Sequence, residues 1–508
     1  MTNRITDNPP LPHLAAKSAN VIPILLVRVL VVLLCSFIFA GLSLELMDDI
    51  QGLMAYTLLL LWYLYYEIRY LWSYDNHLFF VNPVVLASVF TFVLTFGITN
   101  VLFLLPEKFL IVVGLRPIAT PWMNQLMMLV LLGAVAMWVG YTSVMGRTLG
   151  RGIQSSSVLK KWMAPALRIN KPAIYFCMAL SLATTIWAIS LGVFGYSSTY
   201  DQLIAAANVT QYINMADSLG KMALVAVSLQ CFSSPRSASA DRNLLLIILG
   251  YEVALGLLSG FKSAVAMPFI IVGMTHYSRR NHFPRWLLPS VLAAIVVAYA
   301  VIEPFRVARN NESSFNGTSL GSIVSTMSGA DALKPGMDEM DNNFFINFFA
   351  RYNQTYVASL GIEYTANNEE LPIGSPEFLG DILLAPAHAL LPRFIWEGKS
   401  LQNIGTWYTN EILGFEIASS TAMSPFTYLN FAGGPLAIFL GFLFIGILQR
   451  SVFDGLRTFG VGGLIVLFGL LGTLVNIDSA FNSIIVAMIR FPPILLILQY
   501  MLLRRKKV

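Results

Sequence analysis

Long apolar runs recur along most of the chain, and they constrain its fold more than any other feature. The first run, residues 21–42, contains one charged residue, Arg28. Such a run matches the roughly 17–25 residues that an α-helix needs to cross a bilayer. Only 12% of the residues are charged, about half the share in an ordinary soluble domain. The sequence therefore predicts an all-α, polytopic membrane protein.

The runs predict about twelve transmembrane helices, and the charges between them predict their direction. Basic residues concentrate in cytoplasmic loops. The linker after the fourth span and the tail Arg504–Lys507 are basic and contain no acid, whereas the linker after the first span carries Glu45, Asp48 and Asp49. Both termini are therefore expected in the cytoplasm. The predicted spans are 21–42, 51–73, 80–104, 122–145, 172–195, 218–233, 243–259, 264–278, 286–303, 425–448, 460–476 and 483–503.

The spacing of the spans divides the chain into three parts. Residues 1–303 hold nine spans with short loops, residues 304–424 form one large loop, and residues 425–508 hold three spans and a basic tail. With cytoplasmic termini, the loop is expected outside the cytoplasm, which in a Gram-negative cell is the periplasm. Its apolar patches at 344–350 and 382–396 predict short amphipathic helices that lie on the membrane surface or dip into it.

Several basic residues in or near the loop stand beside apolar sequence, on the side of the membrane that disfavours them. A cation in such a place requires an anionic partner or a ligand. Arginine suits this purpose because its planar fork binds two phosphate oxygens at once. We therefore predict an anion-binding cleft at the outer membrane surface, with ordinary ion pairs in the loop as the alternative for each residue. The candidates are Lys262, Arg306, Arg309, Arg351, Arg393 and Lys399.

Two further residues are candidate proton acceptors. His388 is the one histidine that the predicted topology places outside, and an imidazole can accept a proton at neutral pH; a structural role is the alternative. Glu303 precedes Arg306 by three residues, so a continuous helix would put both on one face. Glu303 is then either a base or the partner of Arg306. Glu252 and Arg490 lie within predicted spans, where they could form a buried pair.

The sequence lacks the motifs of several enzyme classes. It contains no phosphate-binding P-loop, no His-Glu-x-x-His, no Cys-x-x-Cys and no dinucleotide-binding glycine turn. Its cysteines, Cys35, Cys177 and Cys231, have no metal-binding spacing. These absences argue against an ATPase, a zinc protease and a redox protein, and we expect no metal, no cofactor and no nucleic acid partner.

Three short segments resemble one known family. Leu391–Lys399 (LPRFIWEGK) resembles the Pro-Arg-x-x-Trp-x-x-Lys signature of oligosaccharide repeat-unit polymerases, the Wzy-type O-antigen and exopolysaccharide polymerases. Thr421–Pro435 (TAMSPFTYLNFAGGP) resembles the segment with which that family re-enters the membrane, and Ser259–Lys262 resembles its Ser-Gly-x-Arg/Lys turn. The resemblance covers about residues 243–503. It departs from the family at Lys262, where Arg is frequent, and at Ser400, where Pro is frequent.

The resemblance implies a metal-independent, GT-C-like membrane glycosyltransferase. Its donor and acceptor would be undecaprenyl-diphosphate-linked oligosaccharides held in the lipid bilayer, and a chain-length regulator protein is a candidate partner. The lipid tails would keep the reaction at the outer surface, where fixed cations stabilise the leaving diphosphate. Under this interpretation Arg351, Arg393, His388 and Glu303 are catalytic, and Lys262, Arg306, Arg309 and Lys399 bind the diphosphate.

Two other functions remain open from the sequence. An O-antigen ligase moves finished glycan onto a lipid core and has a similar loop. A flippase or transporter for lipid-linked oligosaccharides also suits twelve spans. Transporters usually consist of two related halves with essential residues near the midplane. This sequence shows no relation between its halves, few charges within the spans of its first half, and a concentration of bases in one external loop.

Overall fold

The computed structural model describes residues 21–75, 78–106, 120–163, 168–195, 206–233, 239–311, 352–368, 373–391, 404–414, 423–476 and 480–504, with isolated positions 202, 321, 324, 346, 349–350 and 396. Within these residues the chain is almost entirely helical, as predicted. Six helices are long and apolar enough to cross a membrane: Ile24–Ser43, Pro83–Leu104, Pro121–Thr142, Lys171–Ser190, Pro425–Arg457 and Phe481–Leu502. The chain is thus an α-helical membrane protein, while the total of twelve spans stays a prediction.

In chain order the helices are α1 (Val21–Ser43), α2 (Asp49–Tyr74), α3 (Pro83–Ala87), α4 (Pro121–Thr142), α5 (Val144–Ser155), α6 (Ser157–Trp162), α7 (Lys171–Ser190), α8 (Ala207–Ser233), α9 (Ser239–Leu258), α10 (Lys262–Arg280), α11 (Leu287–Asn311), α12 (Gln354–Asn367), α13 (Pro376–Leu390), α14 (Ile404–Trp407), α15 (Pro425–Arg457), α16 (Gly460–Val475) and α17 (Phe481–Leu502). A two-residue strand, β1 (Arg168–Ile169), pairs with β2 (Leu503–Arg504) and connects the start of α7 to the end of α17. Apart from the third, each predicted span lies on one of these helices.

The third predicted span is not a regular α-helix. After α3 it continues as a π-helix, Ser88–Thr95, and then as a 3₁₀-helix, Ile98–Leu104. The hydroxyl of Thr99 donates to the carbonyl of Thr95 at 3.0 Å, and such bonds compete with regular helix geometry. The change of helix type places Asn100 inside the bundle, where its amide donates to the Thr57 hydroxyl at 2.9 Å.

The centre of the bundle is the close packing of α4 against α15. A Cβ on Gly140 would lie 2.1 Å from the carbonyl oxygen of Leu443, and one on Gly446 would lie 1.9 Å from that of Met137. Only glycine permits this distance between two backbones. In membranes, where lipid replaces water, close approach of small residues is a main source of helix association.

Helix α15 reverses direction instead of crossing the bundle as one rod. Its backbone leaves the helical conformation at Gly433 and Gly434, and Gly434 has a φ of +65°. The ring of Phe426 stacks on that of Phe442 with centroids 4.4 Å apart, and the side chain of Leu429 lies against Gly441. Residues 425–432 therefore fold back beside residues 435–442, and we call them the re-entrant half-helix.

Two helices from the predicted loop pack among the spans and not on their surface. The side chain of Asn353 caps α12 and also donates to the Asn100 side chain at 3.1 Å. Helix α13 runs beside the first half of α17, where Ala385 and Ala389 contact Val486. A second, larger hydrophobic cluster contains Phe378 of α13 together with residues of α12, the re-entrant half-helix and the spans. The loop thus contributes to the core of the bundle.

Candidate functional site

The re-entrant half-helix is wholly buried and is bound on one side by α12. The Thr427 hydroxyl donates to the carbonyl of Ala358 at 3.2 Å, and the Asn430 amide donates to the Thr365 hydroxyl at 3.1 Å. Gly361 lies between these bonds, and a Cβ there would lie 2.1 Å from Thr427 Cγ2. These contacts fix the position of the half-helix relative to the loop.

Tyr408 packs against the same contact between α12 and the re-entrant half-helix. It lies in the short π-helix Tyr408–Ile412 and is fully buried, and its hydroxyl donates to the carbonyl of Val357. Burial raises the pKa of the Tyr408 phenol, because the charged form loses its hydration. The phenol therefore stays protonated and keeps donating at any physiological pH.

The turn before α13 binds the end of the re-entrant half-helix. The backbone N–H groups of Gly374 and Ser375 both donate to the carbonyl of Phe431 at 2.9 Å. This carbonyl loses its helical partner at the reversal, so the turn satisfies a buried polar group. The ring of Phe378 then stacks on that of Phe431, with centroids 4.9 Å apart. As a result, α13 starts from a fixed point on the hairpin.

One face of α13 carries the polar groups of the candidate site. Phe378, Asp381, Ala385 and His388 recur at helical spacing and share that face. Tyr428 of the re-entrant half-helix packs edge-on against Phe378, with ring centroids 5.2 Å apart. Its phenol is fully buried, lacks a hydrogen-bond partner among the described residues, and lies within electrostatic reach of the Asp381 carboxylate.

Arg490 of α17 binds the carboxyl end of α13. Its Nε donates to the carbonyl of Ala389 at 2.8 Å, and its second terminal nitrogen donates to that of His388. Free carbonyls and the negative end of the helix dipole make this a favourable place for a cation. The Glu252–Arg490 pair considered from the sequence is not formed; Glu252 is buried beside Gly220 of α8.

His388 lies where α13 meets the signature segment. Only 4% of its surface is exposed, and its ring lies 5.0 Å from that of Trp396, the tryptophan of the Pro-Arg-x-x-Trp-x-x-Lys segment. This contact places an imidazole, a group that can exchange a proton near neutral pH, beside the signature segment. Tyr428 and Asp381 lie near each other toward the start of α13, whereas His388 and the carbonyls bound by Arg490 lie at its end, about 10 Å further along the helix.

Lys262 lies in a different part of the bundle. The turn before it contains Gly260, with a φ of +70°, and Lys262 is the first residue of α10, with its Nζ buried. Helix α10 packs against α8, α9 and α11, whereas α13 packs against α15 and α17. The structure thus does not place Lys262 and His388 in one contact group.

The other predicted site residues are described in part or not at all. Helix α11 continues unbroken through Glu303, Arg306 and Arg309, as the pairing of Glu303 with Arg306 requires, but their side chains lie outside the described part of the structure. Arg351, Arg393 and Lys399 lie outside the described residues altogether. Their roles stay predictions.

Sequence reasoning did not assign Asp381 and Tyr428 to the site, and it considered Glu252 as a partner for Arg490, which binds the backbone carbonyls of α13 instead. A usable signal existed for Asp381, because its seven-residue distance from His388 places both on one face of a helix. The described residues contain no cluster of three or more His, Cys, Asp or Glu side chains that could hold a metal ion.

Comparison with known proteins adds no relative: no protein-family model, no curated protein and no solved structure matches the sequence. The fold and the site define an α-helical membrane protein with a re-entrant hairpin.

Proposed function

We propose that the chain is a polymerase that joins undecaprenyl-diphosphate-linked oligosaccharide repeat units at the periplasmic face of a bacterial inner membrane. One observation carries the proposal. The two longer segments that resemble the polymerase family lie against the same short helix: Trp396 contacts His388 near the end of α13, and Phe378 near its start stacks on Phe431 of the re-entrant half-helix. The two contacts are about 15 Å apart along α13, so this helix connects the two motifs, as expected where separate segments build one active site.

The proposed reaction transfers the growing glycan from one lipid to another sugar. A hydroxyl oxygen of the acceptor repeat unit attacks the anomeric carbon of the donor glycan, and the bond from that carbon to the diphosphate breaks. The hydroxyl proton passes to a base, with His388 and Glu303 as candidates, and undecaprenyl diphosphate leaves. The cations Arg351, Arg393, Lys262, Arg306, Arg309 and Lys399 are the candidates for stabilising the departing charge.

A flippase for the same lipid-linked substrate is the second candidate, because transporters often contain a discontinuous helix like α15. In transporters the break lies near the midplane. Here the part of α15 from Pro435 to Arg457 is about 34 Å long, enough to cross the roughly 30 Å hydrocarbon core by itself. A span formed by all of this part would put the break at one edge of the membrane, a position that suits a surface reaction better than transport. An O-antigen ligase would use the same geometry with another acceptor.

Substitution in cells that depend on this chain for surface polysaccharide tests the proposal. We expect Arg351→Ala and Arg393→Ala to reduce the length and yield of polymer by tenfold or more, because each removes a cation from the site. Glu252→Ala, in a buried position away from α13, is the comparison, and protein abundance in the membrane is the control for folding. Normal polymer with both arginine variants, together with its loss in Glu252→Ala, would exclude the polymerase and favour a transporter.

A further inference from the structure

An open cleft of about 510 Å³ lies at the end of the bundle opposite to the loop helices. Helices α5 and α6 and the turn between α15 and α16 form its walls. Its volume is in the range of small-molecule sites. The residues that line it are Arg151, Gln154, Ser155, Lys160, Thr458 and Phe459. Two cations, three neutral hydrogen-bonding groups and an aromatic ring face the cleft, and none of the lining residues is acidic.

The two cations of the cleft have no acidic partner in the described part of the chain. Arg151 and Lys160 are exposed and form neither a hydrogen bond nor an ion pair there. Asp454, whose carbonyl accepts from Gln154 at 2.8 Å, already has its carboxylate bound by Arg450 at 2.5 Å and Arg457 at 3.1 Å. No acidic side chain among the described residues therefore neutralises the positive charge of the cleft.

Apolar and aromatic side chains beside the cleft indicate that it lies at the level of the membrane interface. Val158 is 62% exposed, and the partly exposed rings of Trp162 and Tyr500 lie 5.5 Å apart. Trp and Tyr concentrate where lipid headgroups meet the acyl chains. Residues 144–171 contain six bases and no acid, a pattern that attracts anionic lipid surfaces. A ligand here would meet positive charge on one side and apolar surface on the other.

We propose that this cleft binds the headgroup of an anionic phospholipid. Arg151 and Lys160 bind the phosphate oxygens, Gln154 and Ser155 donate hydrogen bonds to the headgroup, and the acyl chains lie along the apolar surface near Trp162. A free phosphate or a nucleotide would share the anionic group but would leave the exposed apolar surface uncovered. This site does not depend on the proposed polymerase activity, because it lies at the other end of the bundle.

Lipid binding by the purified full-length protein in neutral detergent tests the proposal, with the retained lipid measured by native mass spectrometry. The cleft variant is Arg151→Gln combined with Lys160→Gln. The matched control is Arg280→Gln combined with Arg285→Gln, which removes two exposed charges from the other basic linker. We expect phosphatidylglycerol to bind the cleft variant about thirtyfold more weakly than the wild type, since each basic residue near the surface contributes about a fivefold gain.

The control variant should bind phosphatidylglycerol as tightly as the wild type does. Both proteins should bind phosphatidylcholine more weakly than phosphatidylglycerol. Equal weakening in both variants would show a general charge effect and would overturn the site. Complete displacement of phosphatidylglycerol by millimolar inorganic phosphate would overturn the assignment to a lipid and identify a soluble anion as the ligand. Unfolding midpoints of the variants distinguish loss of binding from loss of folding.

Discussion

At the scale of single residues, the buried pair of Arg28 and Glu67 connects α1 to the rest of the bundle. Arg28 Nε donates to Glu67 Oε1 at 2.7 Å, and the Tyr63 hydroxyl donates to the same oxygen at 3.0 Å. Arg28 also donates to the Thr142 hydroxyl at 3.1 Å. Glu67 is completely buried, while most of α1 faces outward. The pair is therefore a polar connection between α1, α2 and α4 in an otherwise apolar contact.

Removing one member of this pair should lower the stability of the protein more than removing both members. Arg28→Leu leaves the Glu67 carboxylate buried without its cation, which we expect to destabilise the protein by about 3 kcal/mol. The double variant Arg28→Leu, Glu67→Leu should recover at least half of that loss, because no charge remains buried. Unfolding midpoints of the purified variants in mild detergent measure both effects. A double variant that is no more stable than Arg28→Leu would contradict the account of the pair.

At the scale of helices, the re-entrant hairpin organises the candidate site. Its reversal requires Gly434, whose φ of +65° and ψ of −150° lie in a region that is nearly exclusive to glycine. The reversal exposes the carbonyl of Phe431, and the turn before α13 binds it. The reversal at Gly434 thus determines where α13 begins, and therefore where His388 lies.

An alanine at Gly434 should impair the site in a way that an alanine at another glycine with positive φ does not. Gly434→Ala forces a side chain into an unfavourable backbone region, at a cost of about 1–3 kcal/mol. Gly460, with a φ of +61° and open space around it, lies at the start of α16, at the other end of the bundle. We expect both variants to lower the unfolding midpoint, but only Gly434→Ala to reduce polymer synthesis per folded molecule. Normal polymer synthesis by Gly434→Ala would show that the activity does not depend on the geometry of the hairpin.

At the scale of the whole molecule, hydropathy predicted where the helices lie because every span must be apolar along its length. It did not predict the reversal of α15, since an apolar run containing Gly433 and Gly434 looks the same whether the helix bends or turns back. The outcome depends on contacts such as Phe426 with Phe442. The insertion of α12 was also hidden, because it depends on a hydrogen bond between Asn353 and Asn100, which are distant in sequence.

Two residues of the candidate site could be predicted from the sequence, but their contacts could not. His388 stood out as an isolated titratable residue in the loop, and Arg490 stood out as a charge within an apolar span. The partner of Arg490 was not predictable, because backbone carbonyls at the end of α13 leave no pattern in the sequence. Nor did the sequence indicate that α13 lies beside α17.

The orientation of the molecule can be measured independently of its activity. Single cysteines at Glu377 and Gly152, both exposed and at opposite ends of the bundle, report on the two sides after the native cysteines are replaced by alanine. The charge pattern predicts that Glu377→Cys reacts with a membrane-impermeant maleimide in intact spheroplasts, and that Gly152→Cys reacts only after permeabilisation. Reaction of Gly152→Cys in intact spheroplasts would place the predicted periplasmic loop in the cytoplasm.

Reconstitution of the purified protein in liposomes with a purified undecaprenyl-diphosphate-linked repeat unit tests the central claim most directly. The products are separated by glycan length, and a His388→Ala variant serves as the inactive comparison. The account predicts a ladder of longer lipid-linked glycans, formed without added metal and in the presence of a chelator, and strongly reduced by the substitution. Unchanged repeat units that have moved across the bilayer would contradict the polymerase and establish a transporter.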